Sequence, residues 1–424
     1  MIKIIQYDLT KREEIFNVKI EEKDVSKIVS DIIEKVKKQG DRAVLELTEQ
    51  FDKAKLSSLR VTEKEIENAY NSVDEKFIKI IEKAYKNVYE FHKKQKRIGF
   101  EIKRSASEII GQKVIPIERV GIYVPGGTAA YPSTVIMDFV PAIVAGCERI
   151  VMVTPPNKYG EINPYILATA KVCGIKEIYK VGGAQAIAAL AYGTETIPNV
   201  YKIVGPGNAF VAEAKKQVFG KVSIDMIAGP SEIMVIADNK NRAKDIASDL
   251  LSQAEHDKMA SAVLVTDSLD FANQVSDEIE RQIPKLNRAD IARASIDNNG
   301  KIIVTRDLNS AIEVANEIAP EHLEICLDNP FKYLDKIKNA GSVFLGRYCP
   351  EALGDYLAGT NHTLPTSGTA KFSSALSVDD FIKKTQYIYY DKNALENVAY
   401  DVFYFAEQEG LTAHAKSAVI RFED

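Results

Sequence analysis

Cysteine is scarce in this sequence, and its positions form no pair. The four cysteines are far apart and none belongs to a CxxC motif: Cys147, Cys173, Cys326 and Cys349. Each lies in an apolar or glycine-bounded segment, which is typical of reduced thiols that serve packing. The sequence therefore predicts no disulfide framework.

Long hydrophobic runs and an excess of charge of one sign are also absent. The most apolar helix candidate, residues 133–147, is interrupted by Asp138 and Pro141, and the N-terminus meets charged residues at once. Lysine and arginine number 55 against 60 aspartates and glutamates, a net charge of -5, and the two signs are interspersed. These patterns predict a cytoplasmic protein that binds neither membranes nor nucleic acid.

The chain is long and apolar enough to build a large core, with 424 residues of which 46% are hydrophobic. From Lys113 onward, helical stretches alternate with short strand-like runs: RIVMV, KEIYKV, VYKIV, EIMVIA, SAVLVT, KIIVT and GSVFLG. This alternation is typical of βαβ units and predicts an α/β fold with more than one parallel sheet. Before it we expect a helix that stops at Gly40 and an amphipathic helical pattern over residues 63–96, and after Ser374 a separate helical arm.

Glycine-rich turns follow several of the predicted strands: VPGGTAAYPS, VGGAQAI, VGPGNAF and AGPSE. The first three lead into helices, so their main-chain N–H groups could hold a phosphate or a carboxylate. A strand-to-helix turn also needs glycine for steric reasons alone. Because no GxGxxG motif occurs, any dinucleotide would not be held in the usual Rossmann manner.

Two polar motifs are candidates for chemistry. Gln253 and His256, in SQAEH, are three residues apart at the end of a predicted helix and could share a ligand, although such a segment is more often simply a polar helix end. Glu321 and His322, in APEHLEI, could supply a carboxylate and an imidazole as proton acceptors, or form a plain surface turn. Joint action would need an irregular turn, which Pro320 favours.

The remaining histidines extend this set. Asp355 and His362 lie in the glycine- and threonine-rich segment LGDYLAGTNHTLPT, predicted to be a functional loop, and Glu409 and His414 lie in EQEGLTAHA near the C-terminus. His92, in the basic segment EFHKKQKR, is predicted to be surface-exposed. One glutamine, one aspartate and two histidines could together bind zinc, although their spacing alone does not bring them together.

In combination and in order, these motifs resemble the histidinol dehydrogenase family from about Asp41 to His414. The resemblance implies oxidation of L-histidinol to L-histidine through L-histidinaldehyde, with NAD and one Zn2+ per subunit, in a homodimer with shared active sites. By the same resemblance, Glu321 and His322 are the catalytic pair. The implied zinc ligands are Gln253, His256, Asp355 and His414.

The resemblance also assigns binding residues. The implied substrate contacts are Ser231, Gln253, His256, His322, Asp355, His362, Glu409 and His414. The implied NAD contacts are Tyr123, Gln185 and Asn208. His322 would accept the alcohol proton and Glu321 would activate the water that hydrates the aldehyde, while zinc would orient the substrate.

The fold implied by the resemblance has two incomplete Rossmann-like domains. The first would comprise residues 21–122 and 233–375, and the second, inserted one residues 123–232. A short N-terminal segment, 1–20, and a C-terminal helical arm, 376–424, exchanged in the dimer, would complete it.

Three other functions compete with this interpretation. A related zinc and NAD dehydrogenase could act on another small alcohol, but an amino-imidazole substrate better explains the polar set around Ser231 and Glu409. A zinc hydrolase would leave the glycine-rich turns unexplained, and the sequence has no HExxH motif. A purely structural zinc site would more typically be rich in cysteine.

Overall fold

The computed structural model describes residues 1–8, 10, 12–16, 24–126 and 130–423. The chain divides into two compact units, residues 1–95 with 118–381 and residues 96–117 with 382–424. The predicted α/β class with parallel sheets is confirmed. The domain boundaries implied by the resemblance stay predictions.

The elements are numbered in chain order. The strands are β1 (Lys3–Gln6), β2 (Phe100–Lys103), β3 (Glu108–Pro116), β4 (Arg119–Tyr123), β5 (Arg149–Thr154), β6 (Glu177–Lys180), β7 (Lys202–Val204), β8 (Ser223–Ile224), β9 (Glu232–Ala237), β10 (Ser261–Thr266), β11 (Lys301–Val304), β12 (His322–Cys326), β13 (Ser342–Leu345) and β14 (Ile382–Tyr390). The helices are α1 (Arg12–Phe16), α2 (Ser26–Asp52), α3 (Glu63–Ser72), α4 (Glu75–Lys93), α5 (Pro132–Ala145), α6 (Pro164–Cys173), α7 (Gly183–Tyr192), α8 (Ala209–Val218), α9 (Ala243–Ala254), α10 (Leu269–Gln282), α11 (Ala289–Asn299), α12 (Leu308–Ile318), α13 (Phe331–Leu334), α14 (Glu351–Leu353), α15 (Lys392–Gln408) and α16 (Thr412–Val419).

The larger unit contains a six-stranded parallel sheet in the order β1-β11-β10-β9-β12-β13. Both of its faces are buried. Along β9, Ile233 and Val235 pack into the core on one face, while Met234 and Ile236 pack into the core on the other. This double burial explains why the central strands are continuous apolar runs rather than alternating ones.

The same unit contains a five-stranded parallel sheet in the order β6-β5-β4-β7-β8. Its core is shared with α2, α7 and α8. The chain runs outward from β4 to β6 and then returns to the other side of β4 through β7. The crevice at the carboxyl ends of β4 and β7 is therefore a topological switch point, where open α/β sheets commonly bind ligands.

The smaller unit is built from the antiparallel sheet β14-β3-β2 and from α15 and α16. The sequence pattern predicts only helices in this tail, so β14 is a correction. None of its nine residues is fully buried, and it pairs with β3 over its whole length. Because it carries no buried apolar face, its local pattern gave no strand signal.

One helix prediction is confirmed and another needs correction. The helical conformation stops at Gly40, as expected, because Gly40 adopts the non-helical angles φ 52° and ψ −133°, and a second helical stretch of α2 follows this kink to Asp52. The pattern over residues 63–96 forms two helices, because Asp74 accepts the Phe77 N–H at 2.8 Å and starts a new N-terminus. The expected packing role of cysteine is confirmed for Cys147, Cys173 and Cys326, which are buried. Among the described residues, no helix is both long and apolar enough to cross a membrane.

Candidate functional site

The predicted catalytic pair lies at the amino edge of the six-stranded sheet, where β12 begins. After α12 ends, Ala319 adopts a left-handed conformation with φ 54°, and Pro320 leads the chain into the strand. This is the irregular turn that joint action requires. It brings Glu321 Oε2 within 3.7 Å of His322 Nδ1, although the two residues are adjacent in sequence.

The orientation of the His322 ring is fixed by the neighbouring strand. Its Nδ1 lies 2.9 Å from the main-chain oxygen of Glu232, the first residue of β9. A carbonyl oxygen can only accept, so Nδ1 carries the hydrogen and Nε2 of the neutral ring keeps its lone pair. Nε2 is buried, lies 3.6 Å from Asp355 Oδ1 and has no hydrogen-bond partner in the described part of the chain.

Burial and charge act on this pair in opposite ways. Burial of the Glu321 carboxyl raises its pKa to about 8. For His322, burial opposes the charged form, but the negative charges of Glu321 and Asp355 outweigh it and raise the pKa of the imidazole to about 10. The site therefore stabilises a proton on the His322 ring.

Acidic side chains surround His322 Nε2. His322, Glu351 and Asp355 form a group whose ligand atoms lie within 4.8 Å of one another. Asp355 belongs to a π-helical turn, Gly354–Ala358, that continues α14, so its predicted placement in a loop is wrong. Glu351 was not predicted as a site residue for this reason, because a spacing of four residues from Asp355 places the two side chains on one face only in a helix.

Gln253 and His256 lie at the end of α9, as predicted. The Gln253 side chain is 1% exposed, and its Oε1 is a buried acceptor without a hydrogen-bond partner among the residues that the structure describes. The His256 main-chain N–H donates to the Gln253 carbonyl at 3.0 Å. Burial lowers the pKa of His256 while the negative charge of Asp355 opposes that change, so these side chains share one electrostatic environment.

Two further predicted substrate contacts also lie in the larger unit. Ser231 immediately precedes β9 and is half-buried at the same amino edge. His362 is half-buried, and its Nε2 lies 3.4 Å from Thr134 Oγ1 on α5. Burial lowers the pKa of His362, and the charge of Asp355 opposes this shift as it does for His256.

The donors in this cluster fit the zinc ion implied by the family. Gln253 Oε1 is a buried polar atom without a hydrogen-bond partner among the described residues, and Asp355 adds a carboxylate oxygen. Oxygen and imidazole nitrogen are ordinary zinc ligands. Of the four predicted ligands, only Asp355 belongs to the compact group around His322. The assignment of all four as ligands stays a prediction.

Glu409 and His414 lie in the smaller unit. Glu409 directly follows α15, His414 lies in α16, and both side chains are exposed. Their predicted roles in substrate and metal binding stay predictions.

The predicted NAD contacts lie together at the carboxyl edge of the five-stranded sheet. Tyr123 ends β4, and its buried hydroxyl accepts the Gly183 N–H at 3.2 Å. Gln185 lies in the first turn of α7 and is 1% exposed. Asn208 caps α8 by accepting the Phe210 N–H at 3.1 Å. Residues 127–129 of the first glycine-rich turn lie outside the described residues.

His92 corrects the prediction of a surface position. Its side chain is fully buried and continues the inward stripe of α4 that includes Val88. Nδ1 lies 2.7 Å from Gln95 Oε1 and Nε2 lies 3.3 Å from Asn361 Nδ2. His92 is thus a buried structural histidine. Its spacing of four residues from Val88 indicates the buried face of the helix, but the basic residues beside it favoured a surface position.

The fold and the site together define a class of protein, an α/β enzyme with an acid–base centre. Its marks are the parallel sheets, the crevice at the topological switch point and the buried carboxylate–imidazole pair. The histidinol dehydrogenase family model matches residues 17–422. The chain is 55% identical to histidinol dehydrogenase of Clostridium acetobutylicum, covering 95% of this chain and 94% of that protein. It is also 55% identical to that of Caldanaerobacter subterraneus subsp. tengcongensis, covering 99% of both.

A solved structure leads to the same result. The crystal structure of histidinol dehydrogenase from Elizabethkingia anophelis matches with a TM-score of 0.94 and 40% identity, covering 100% of this chain and 98% of that one. The chain therefore belongs to the histidinol dehydrogenase family. The family and the dehydrogenase activity predicted from the sequence are confirmed.

Proposed function

We propose that this chain oxidises L-histidinol to L-histidine through L-histidinaldehyde, with NAD as hydride acceptor and one zinc ion per subunit. The buried contact between Glu321 and His322 carries the proposal. Two successive oxidations at one carbon need a proton acceptor for each alcohol group and a base that activates water. An imidazole and a carboxyl group side by side supply these functions.

His322 accepts the alcohol proton in the first oxidation. Hydride cannot leave the carbinol carbon unless the O–H proton has an acceptor. Nε2 is that acceptor, because Nδ1 is held by the Glu232 carbonyl. The carboxylates of Glu321 and Asp355 stabilise the resulting imidazolium and raise the pKa of the ring to about 10, so the unprotonated ring is a strong base and the fraction of enzyme that carries it rises with pH.

Glu321 activates water in the second half of the reaction. The Glu232 N–H donates to Glu321 Oε2 at 2.9 Å and orients the carboxyl group. Because burial raises the pKa of Glu321 to about 8, its carboxylate takes a proton from water more readily than an exposed carboxylate would. His322 releases its first proton to solvent, and water adds to the aldehyde. Nε2 then accepts a second proton as the hydrated aldehyde transfers its hydride to a second NAD.

The metal would be held by Gln253, His256 and Asp355, with His414 supplied by a second subunit. When bound, zinc supplies the positive charge that orients the amino and imidazole groups of the substrate. Ser231, His362 and Glu409 complete the substrate contacts in this proposal. Tyr123, Gln185 and Asn208 hold the nicotinamide cofactor at the crevice of the five-stranded sheet.

A homodimer with exchanged C-terminal arms completes each site. Support comes from α15, on which Tyr400, Tyr404 and Phe405 are 59–70% exposed. Exposed aromatic side chains on one helix are typical of a subunit interface. The arm carries Glu409 and His414, which the proposal places in the site of the partner.

In the same proposal, each subunit contains two incomplete Rossmann-like domains.

The absorbance of reduced nicotinamide tests this function directly. Purified protein with zinc, NAD and L-histidinol should produce reduced cofactor, and His322→Asn should remove most of that rate. A small amino alcohol without an imidazole serves as the matched substrate control. Equal rates with both substrates would favour a dehydrogenase of another small alcohol, and no rate with histidinol would refute the proposal.

A further inference from the structure

Asp138 is a buried acid on α5 to which none of the comparisons or motifs assigns a role. Its side chain is completely buried, and Oδ1 accepts the hydroxyl proton of Thr363 at 3.2 Å. Thr363 directly follows His362, a proposed substrate contact. The carboxyl group thus reaches the segment that carries His362 from a helix that begins just after the first glycine-rich turn.

Three successive residues of this segment contact α5. Asn361 Nδ2 donates to the Met137 carbonyl at 2.7 Å, and His362 Nε2 lies 3.4 Å from Thr134 Oγ1. The third contact is the hydrogen bond from Thr363 to Asp138. Helix α5 is therefore the support on which the position of His362 depends.

The other carboxyl oxygen of Asp138 faces the turn that carries Asn208. Gly205 in this turn has φ +119°, and a Cβ there would lie 2.1 Å from the Tyr123 oxygen and 3.0 Å from Asp138 Oδ2. The Gly205 N–H donates to Asp225 at 2.8 Å, and its carbonyl accepts from Lys215 at 3.0 Å. Asp138 is thus packed against the wall of the proposed cofactor crevice.

The charges around Gly205 explain which form Asp138 takes. Lys215 and Asp225 form a buried ion pair, so the nearby Lys215 cation already has a carboxylate partner. Burial, together with the negative charge of Asp225, raises the pKa of Asp138 well above its ordinary value. Burial and this negative charge therefore favour the neutral form of the Asp138 carboxyl group.

We propose that Asp138 is a positioning residue that fixes the His362 segment against the wall of the cofactor crevice through its hydrogen bond with Thr363. It contacts neither substrate nor cofactor itself. Because His362 and Asn208 meet those molecules only in the proposed function, this inference rests on that proposal.

Three variants test the contact. Asp138→Leu removes the acceptor, Thr363→Val removes the donor and keeps the shape, and Asp138→Asn keeps an acceptor oxygen in an uncharged side chain. We expect the first two to raise the KM for histidinol about tenfold, the effect of one lost buried hydrogen bond, with kcat within about threefold of wild type. Asp138→Asn should restore the wild-type KM within about twofold.

The double variant Asp138→Leu/Thr363→Val should raise KM no more than the worse single variant, because all three remove one contact. Additive losses would overturn the proposal, and so would Asp138→Asn being as damaging as Asp138→Leu. A lowered Tm with an unchanged KM would show a purely structural role and would also overturn it. If Asp138→Leu fails to fold, Thr363→Val decides the question. An inactive wild-type protein in the same assay would instead refute the proposed function.

Discussion

Replacing Glu321 with glutamine should separate the two oxidations. The amide oxygen of the Glu321→Gln variant can still accept the Glu232 N–H that Glu321 accepts at 2.9 Å, so the side chain keeps its place. What it loses is the ability to take a proton from water. We expect the aldehyde-to-acid step to slow by about 100-fold or more, the usual effect of removing a general base.

The same substitution has a smaller effect on the first oxidation. Opposite unit charges 3.7 Å apart, the Glu321–His322 distance, attract by at most about 4.5 kcal/mol at an effective dielectric constant of 20. Losing that attraction lowers the pKa of His322 and weakens it as a base. Asp355 and Glu351 still stabilise the imidazolium, so the alcohol step should slow less than the aldehyde step.

Single-turnover kinetics started from histidinol and from histidinaldehyde would measure the two steps separately. The Glu321→Gln variant should release aldehyde and reduce about one cofactor per histidinol. Glu313→Gln, an exposed change on α12, is the matched control and should resemble wild type. Equal slowing of both steps, or an unaffected aldehyde step, would refute the division of roles between Glu321 and His322.

Three further outcomes follow from the site and the core. His256→Asn should lose zinc while His322→Asn keeps it, and metal analysis showing the reverse would contradict the ligand assignment. A mixed dimer of His322→Asn and His414→Ala chains should recover about half of the wild-type activity if the arms are exchanged, and no more than its parents if they are not. Burial raises the pKa of Asp52 to about 6, so the protonated form stabilises the fold below about pH 4 and this contribution disappears as the pH rises through 6. Asp52→Asn should therefore raise the free energy of unfolding by about 1 kcal/mol at pH 8, a value discounted for the partial exposure of the carboxyl group, and leave it unchanged at pH 4. The exposed change Asp31→Asn is the control and should leave the free energy of unfolding unchanged at both pH values.

The parallel α/β core was predictable because its signals are local. β9, β10, β11 and β13 coincide with the short strand-like runs of the sequence. The antiparallel sheet of the smaller unit was not predictable, because β14 pairs with β3 across more than 250 residues of sequence and has no buried face. Pairing that distant leaves no periodic pattern in either segment.

The candidate site was predictable in its residue types and only partly in its geometry. The irregular turn at Pro320 that lets Glu321 and His322 meet was expected from the sequence. The roles of Glu351 and of the Glu232 carbonyl were not, because they depend on a π-helical turn and on the register between β9 and β12. The register between two strands determines where a main-chain oxygen lies, whatever side chain that residue carries.

The number of reduced cofactors formed per histidinol consumed tests the central claim most directly. Because Glu321 and His322 together serve both oxidations, the wild-type protein should form about two molecules of reduced nicotinamide per histidinol, with little free aldehyde. A ratio near one, with histidinaldehyde accumulating in solution, would contradict the account.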